Sequence, residues 1–188
     1  MKNYNIIFSS RTTPKKFKDF LLGLSKNSQN TFNHFGKINK KNIDSIVKKE
    51  LKRKDKIKFL TFLNDELAGY GFLTKFEKYS KKHNCILGIV ISDQHQNKGL
   101  GKIICEKMIR TAWKKNLKKI WLNVHYDNVR AFNLYKSLGF EIEGLFVADE
   151  KMKRKERHIV SMALIKNKKF TLNDRLKLCK KLEKKFKK

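Results

Sequence analysis

QHQNKGLGK (residues 94–102) follows an apolar run, Ile86 to Ile91, and leads into a stretch with apolar residues at Leu100, Ile103, Ile104, Met108 and Ala112. Side chains three and four apart share one face of a helix, and the short apolar run before the glycines reads as a buried strand. Strand, glycine loop, helix has two readings. Glycines commonly serve only as a tight turn. The same arrangement also aims unpaired N–H groups at an anion, because the first amides of a helix have no carbonyl one turn back. Gly99 and Gly101 lack Cβ atoms, which lets a phosphate approach their amides, and Lys98 and Lys102 add positive charge. Two familiar phosphate motifs are excluded. A dinucleotide fingerprint wants a third glycine where Ile104 stands. A P-loop wants a glycine five residues before Gly101 and a hydroxyl after Lys102, where Ile103 stands.

Outward from the loop, the periodicity predicts an alternation of short elements. Residues 4–9 read as a strand, Lys15 to Leu24 and Ile43 to Leu51 as helices, and NTFNHFGKINKKN (residues 30–42) as a loop. Residues 57–63 and 67–76 form a hairpin about Asn64 and Asp65, and Cys85 to Ile91 adds a third antiparallel strand. A helix runs to about Asn116, residues 119–124 form a strand, and Ala131, Leu134, Tyr135 and Leu138 define a short helix closed by Gly139. Residues 140–147 and 158–165 are two last strands about the charged turn ADEKMKRKE (residues 148–156). Thr171 and Asp174 then open a basic amphipathic helix as a capping box. The order β-α-α-β-β-β-α-β-α-β-β-α predicts an α+β domain over residues 1–168, with residues 169–188 as a basic C-terminal helix or tail.

With 188 residues and 40% hydrophobic content, the chain can bury a proper core. Cys85, Cys105 and Cys179 are odd in number and far apart, without zinc-type spacing, which favours a reduced intracellular protein and no metal. Neither a signal-peptide core nor a run of about 18 apolar residues is visible, so a cytoplasmic protein without a membrane span is expected. Lys and Arg number 46 against 17 Asp and Glu, a formal charge of +29. Much of this is solvated surface. The remainder attracts anionic partners and disfavours a free polyamine as ligand.

A second constellation, NVRAFNLYKSLGFE (residues 128–141), sharpens the reading. Asn128 starts a helix, Tyr135 lies two turns along the same face, and Leu-Gly-Phe closes it. Together with QNKGLG upstream, this resembles the GNAT superfamily of N-acetyltransferases, which use acetyl-coenzyme A. Gln96, Gly99 and Gly101 match that family's Gln/Arg-x-x-Gly-x-Gly/Ala loop, and Asn128, Ala131, Leu134, Tyr135, Gly139 and Phe140 match its downstream pattern. The match is close over residues 85–144.

The resemblance implies a mixed, mostly antiparallel central sheet with a V-shaped splay after the strand that ends at Ile91. It places the pantetheine arm of acetyl-CoA along the backbone of Ile89, Val90 and Ile91, and the pyrophosphate on Gln96, Asn97, Lys98, Gly99, Leu100, Gly101 and Lys102. Asn128 would bind near the pantetheine end. Tyr135 would protonate the departing thiolate, a task that a phenol can perform at neutral pH. A backbone N–H of the 89–91 segment would polarise the thioester carbonyl.

Each residue also has a plainer reading: Tyr135 as a core contact, Asn128 as an N-cap, Gln96 as a polar loop residue. The glutamate that many relatives use as a base is missing, since its two usual positions hold Cys85 and Asn123. His125, two residues along the same strand face, is one substitute and a satisfied core histidine the other; Asp93, Glu66 and Glu141 have no spacing argument.

Acceptor recognition in such a fold falls to residues 30–42 and to the last hairpin. Both are basic here, and residues 36–58 carry ten Lys and Arg against three Asp and Glu. This suits a primary amine on an anion-bearing molecule, such as a nucleotide-linked amino sugar or a protein N-terminus on an acidic or ribosomal surface. The rival class is an RNA- or ribosome-binding protein that keeps the fold without turnover. Residues 166–188, with eleven basic and two acidic side chains, either pack on the domain or lie on an anionic partner. A homodimer is implied by the resemblance alone.

Overall fold

The computed structural model describes residues 6–152, 155–167 and 171–186. The fold is of the α+β class, with mostly antiparallel sheet flanked by helices. It divides into two compact units, Met1–Leu117 and Lys118–Lys188.

The first unit runs β1 (Ile6–Ser9), α1 (Pro14–Gly23), α2 (Lys26–Phe32), α3 (Ile43–Lys52), β2 (Lys56–Leu63), β3 (Glu66–Lys75), β4 (Asn84–Ile91) and α4 (Leu100–Lys114). Neighbouring strands β1-β2-β3-β4 are all antiparallel. The β2–β3 hairpin turns where expected, with Asn64 at φ 46° and Asp65 at φ 65°. Two successive positive φ values are what a two-residue hairpin turn requires, and Asn and Asp accept them best. One sheet face carries the α1–α3 layer, in a core of Phe17, Leu21, Ile43, Val47, Leu60, Tyr70 and Phe72. Helix α4 packs on β2, β3 and β4 through the buried face that contains Ile104 and Met108. Its periodicity was legible, and so was its start.

The second unit runs β5 (Lys119–His125), α5 (Val129–Ser137), β6 (Glu141–Met152), β7 (Lys155–Ile165) and α6 (Leu172–Phe186). Strand β7 lies between β5 and β6, antiparallel to both. Gly139, at φ 87°, ends α5, and the capping box of α6 forms as read: Thr171 Oγ1 accepts from Asp174 N at 3.3 Å while the Asp174 carboxylate accepts from Thr171 N at 2.9 Å.

Two expectations are corrected. Residues 30–42 are not wholly loop, because α2 extends to Phe32. Ser25 caps it by accepting from Ser28 N at 3.2 Å, and Asn33 at φ 40° closes it. Its seven mostly polar residues carry no apolar stripe to betray a helix. The charged turn at 148–156 is mostly ladder: Glu150 pairs with Arg157 and Lys151 with Glu156, opposite charges facing across the strands. The ladder shifts register between Ile142 and Gly144 and again between Phe146 and Glu150, where Ala148 sits at φ 54°. Of the expected first strand, Tyr4 and Asn5 lie outside the described residues, as does the 168/169 boundary.

Candidate active site

In the first unit the loop is built from the end of β4. Ser92 N donates to Ala68 O (2.9 Å), and a 3-10 turn over Asp93–His95 redirects the chain. The Asp93 carboxylate gathers Ser25 N (2.8 Å), Ser25 Oγ (2.7 Å) and Ser28 Oγ (2.8 Å). Burial works to raise its pKa, but these donors outweigh it and hold Asp93 below the ordinary 3.8. Gln96 turns its side chain inward, donating from Nε2 to Ser28 Oγ and Ile91 O, both at 3.0 Å. It thus ties the loop to α2 and to the last carbonyl of β4, a positioning task that the sequence pattern did not reveal. Lys98 Nζ donates to Gln94 O at 2.7 Å.

Beyond Gln96 the backbone takes two left-handed residues, Asn97 at φ 59° and Gly99 at φ 79°. Alternation of this kind turns successive N–H groups toward one side, forming an anion-binding concavity. Gly99 is the N-cap of α4 and has no side chain with which to cap it. The amides of Lys102 and Ile103 bond to Gly99 O, at 3.1 and 3.4 Å. Those of Leu100 and Gly101, the first two of the helix, are left for an external acceptor. A Cβ built on Gly99 would meet no atom within 4 Å. The open side of the helix start and its uncapped amides fit a diphosphate. Leu100, 4% exposed, pins this end of the helix in the core. Ile89, Val90 and Ile91 pair with Gly71, Tyr70 and Gly69 of β3 and lead directly into the loop.

In the second unit, Asn128 caps α5: its Oδ1 accepts from Ala131 N at 3.2 Å, and its own N donates to His125 O at 2.9 Å. The plain reading as N-cap therefore holds, with the side-chain NH2 group as a further donor. Tyr135 is 7% exposed, its ring tilted against Phe140 at 5.8 Å. His125, 6% exposed, faces Glu150 across the β7 strand, Nε2 to Oε2 at 3.1 Å.

The other acid–base candidates are engaged elsewhere. Glu66 accepts from Gln94, and Glu141 from Lys136 at 3.0 Å. Burial pushes the Cys85 thiol up to about 12, so it stays protonated and inert, and Asn123 is exposed. Among the described residues no group of three His, Cys, Asp or Glu is placed to hold a metal, and no helix is long and apolar enough to cross a membrane.

One cluster was invisible to motif reading, because its members come from three elements and a loop. Glu50 (α3) accepts from Lys56 Nζ (β2) at 2.6 Å and from the Tyr70 hydroxyl (β3) at 2.5 Å, while His34 Nε2 lies 2.6 Å from Lys56 Nζ. The ammonium stands 4.1 Å from the centre of the Phe72 ring, and the His34 ring 4.4 Å. Phe72 in turn covers Gly88 of β4, where a Cβ would come within 2.3 Å of the ring. This packs the 33–36 loop, with its aromatic residues, onto the strand that carries the candidate pantetheine edge.

Comparison with known proteins agrees with this fold. The model of the acetyltransferase (GNAT) family matches residues 28–140, more than half the chain. An uncharacterized protein of Bacillus subtilis, YxbD, is 29% identical over 125 residues, 63% of this chain and 77% of that one. The ribosomal protein bS18-alanine N-acetyltransferase of Escherichia coli is 34% identical over 81 residues; the match spans 42% of this chain and only 55% of that enzyme. The crystal structure of a GNAT-family acetyltransferase from Streptococcus pneumoniae superposes with a TM-score of 0.67 at 24% identity, covering 86% of this chain and all of that one. At that identity the likeness shows the fold alone.

Proposed function

Because this chain belongs to the acetyltransferase (GNAT) family, we propose that it transfers the acetyl group of acetyl-CoA to a primary amine by direct attack. The observation that carries the proposal is the uncapped start of α4, with Gly99 left-handed and the Leu100 and Gly101 amides unspent. Within the loop Asn97 to Lys102 the Leu100 and Gly101 amides take the pyrophosphate, with Lys98 and Lys102 adding charge. The backbone of Ile89, Val90 and Ile91 takes the pantetheine arm, Gln96 holds the loop in shape, and Asn128 donates to the cofactor from its amide. Tyr135 is the acid that protonates the thiolate. The acceptor is an amine on an anion-bearing molecule, a protein N-terminus or a nucleotide-linked amino sugar. The charge of +29 supports this over a free polyamine, and the ribosomal relative supports the N-terminus. Three free cysteines favour a reducing, cytoplasmic setting.

Calorimetry with acetyl-CoA, followed by thiol release with an alanine-initiated peptide, UDP-glucosamine and spermine as probe amines, tests the reading. Micromolar binding and transfer to one of the first two are expected. Tyr135→Phe should lower kcat roughly 100-fold or more while cofactor affinity stays within a few-fold. An unchanged kcat removes Tyr135 as the acid. No binding of acetyl-CoA at any salt concentration removes the function and leaves the fold as a scaffold for a basic binding protein.

A further inference from the structure

The second unit contains a histidine whose surroundings are those of a proton acceptor. His125 is 6% exposed at the end of β5. Its Nε2 lies 3.1 Å from Glu150 Oε2 of β6, a carboxylate that is itself 32% exposed. Its Nδ1 is buried and meets no hydrogen-bonding partner among the described residues. A neutral imidazole with a carboxylate at one nitrogen donates there and carries its lone pair at the other. Glu150 thereby fixes the tautomer with the proton on Nε2 and leaves Nδ1 basic. A buried imidazole nitrogen without a partner costs stability, so its retention calls for a use. The carbonyl of the same residue receives the Asn128 N–H at 2.9 Å. The ring thus sits at the root of the turn that opens α5, the helix that carries Tyr135.

Resting on the transferase reading above, we propose that His125 is the general base that takes the proton of the acceptor amine on Nδ1, directly or through one water, with Glu150 as its positioning residue. The ammonium proton passes to Nδ1, and the freed amine forms its bond to the acetyl carbonyl carbon as the C–S bond breaks. The thiolate takes the phenolic proton of Tyr135. The new amide nitrogen sheds a proton that restores the phenol, and His125 returns its own to solvent. One proton is released per turnover.

The electrostatics suit this task. Burial holds the imidazole below its ordinary 6.5, and the Arg157 charge of β7 adds to that effect. Glu150 of β6 and Asp127 of the β5–α5 turn pull the other way. Asp127 is itself engaged by Arg157 at 3.0 Å. The neutral, proton-accepting form therefore prevails at neutral pH, and activity is lost as pH falls through a value below 6.5.

The test is the pH dependence of kcat/KM with the probe amine that is turned over best, in the wild type and in His125→Gln, Glu150→Gln and Arg157→Leu. The wild type should show an acid limb that lies below the ordinary imidazole value of 6.5. His125→Gln should lower kcat roughly 100-fold or more and move the acid limb up to the amine's own pKa, about 8 for an α-amino group. Glu150→Gln should shift the limb to lower pH and Arg157→Leu to higher pH, opposite movements that a merely structural role would not produce. The half-exposed Glu150 makes its variant the safer one to fold, and retained acetyl-CoA affinity certifies each protein. Transfer with a limb unmoved in His125→Gln, or unmoved in both charge variants, overturns the base alone. Absent acetyl-CoA binding, or binding without transfer to any probe, overturns the transferase reading and the base with it.

Discussion

Removing one partner of the Glu50–Lys56 pair should destabilise the first unit far more than an ordinary surface substitution. The two side chains are 5% and 1% exposed and 2.6 Å apart. Such a pair gains little over an apolar alternative, but a single truncation strands a buried charge, at a cost of about 3–5 kcal/mol. For a chain of this size that is roughly 6–20 °C in Tm. Lys56→Met and Glu50→Leu should each show it in urea denaturation at pH 7. The double variant should recover part of the loss, since neither charge remains. It should not recover all of it, because the Tyr70 hydroxyl, 1% exposed, then loses its acceptor, a penalty of about 1–3 kcal/mol. Adding Tyr70→Phe should return most of that remainder.

The pH arm is separate. Burial works to raise the Glu50 pKa, but His34, Lys56 and Tyr70 outweigh it and lower it from 4.5 to about 2. A depressed carboxylate stabilises above its unfolded pKa and loses that contribution as pH falls through the folded one. At about 1.4 kcal/mol per pKa unit, roughly 3 kcal/mol should vanish between pH 4.5 and 2 in the wild type, and the Glu50→Leu variant should lack this part of the loss. Burial pushes Lys56 the other way, below its ordinary 10.5, which is the desolvation cost borne by the ammonium. Single substitutions that cost less than 1 kcal/mol, or costs that simply add in the double variant, would refute the reasoning.

Two further predictions concern the loop. Gly99→Ala meets no steric obstacle, so its stability cost should be confined to the left-handed backbone, about 1–2 kcal/mol; acetyl-CoA affinity should fall at least tenfold by calorimetry, and an unchanged affinity would show that no phosphate abuts this residue. Gln96→Ala removes two hydrogen bonds at 3.0 Å, costing about 1 kcal/mol each, and should weaken acetyl-CoA binding while leaving kcat unchanged; a fall in kcat at constant affinity would place Gln96 in the chemistry instead.

The parts of this protein that announced themselves in the sequence are those whose physics is local. A glycine in place of a capping side chain, an Asn-Asp pair between apolar runs, and a Thr-x-x-Asp before a leucine stripe each fix a few consecutive dihedral angles. Each recurs in the structure at its own position. Where the reading failed, local chemistry had been overruled by something distant or masked by composition. Helix α2 has no apolar stripe, and its stability comes from the Ser25 cap and from Ser28 reaching Asp93, 65 residues away. The charge of residues 148–156 predicts a turn, whereas opposite charges facing across a ladder, as at Glu150–Arg157 and Lys151–Glu156, also let two exposed strands pair.

The same limit governs the site. Gly99, Gly101, Asn128 and Tyr135 could be named because their spacing follows a loop and a helix. Glu150 could not be named, because its meaning arises only when β6 folds back and lays it beside His125. Neither could Glu50, whose three partners lie 6, 16 and 20 residues away on different elements. A left-handed glycine at an uncapped helix start is therefore legible in a single sequence, whereas a histidine–carboxylate contact between separate strands is a property of the tertiary fold. That positions 85 and 123 hold no glutamate is a local fact of the sequence, whereas the carboxylate 3.1 Å from His125 is seen only once β6 and β7 have paired.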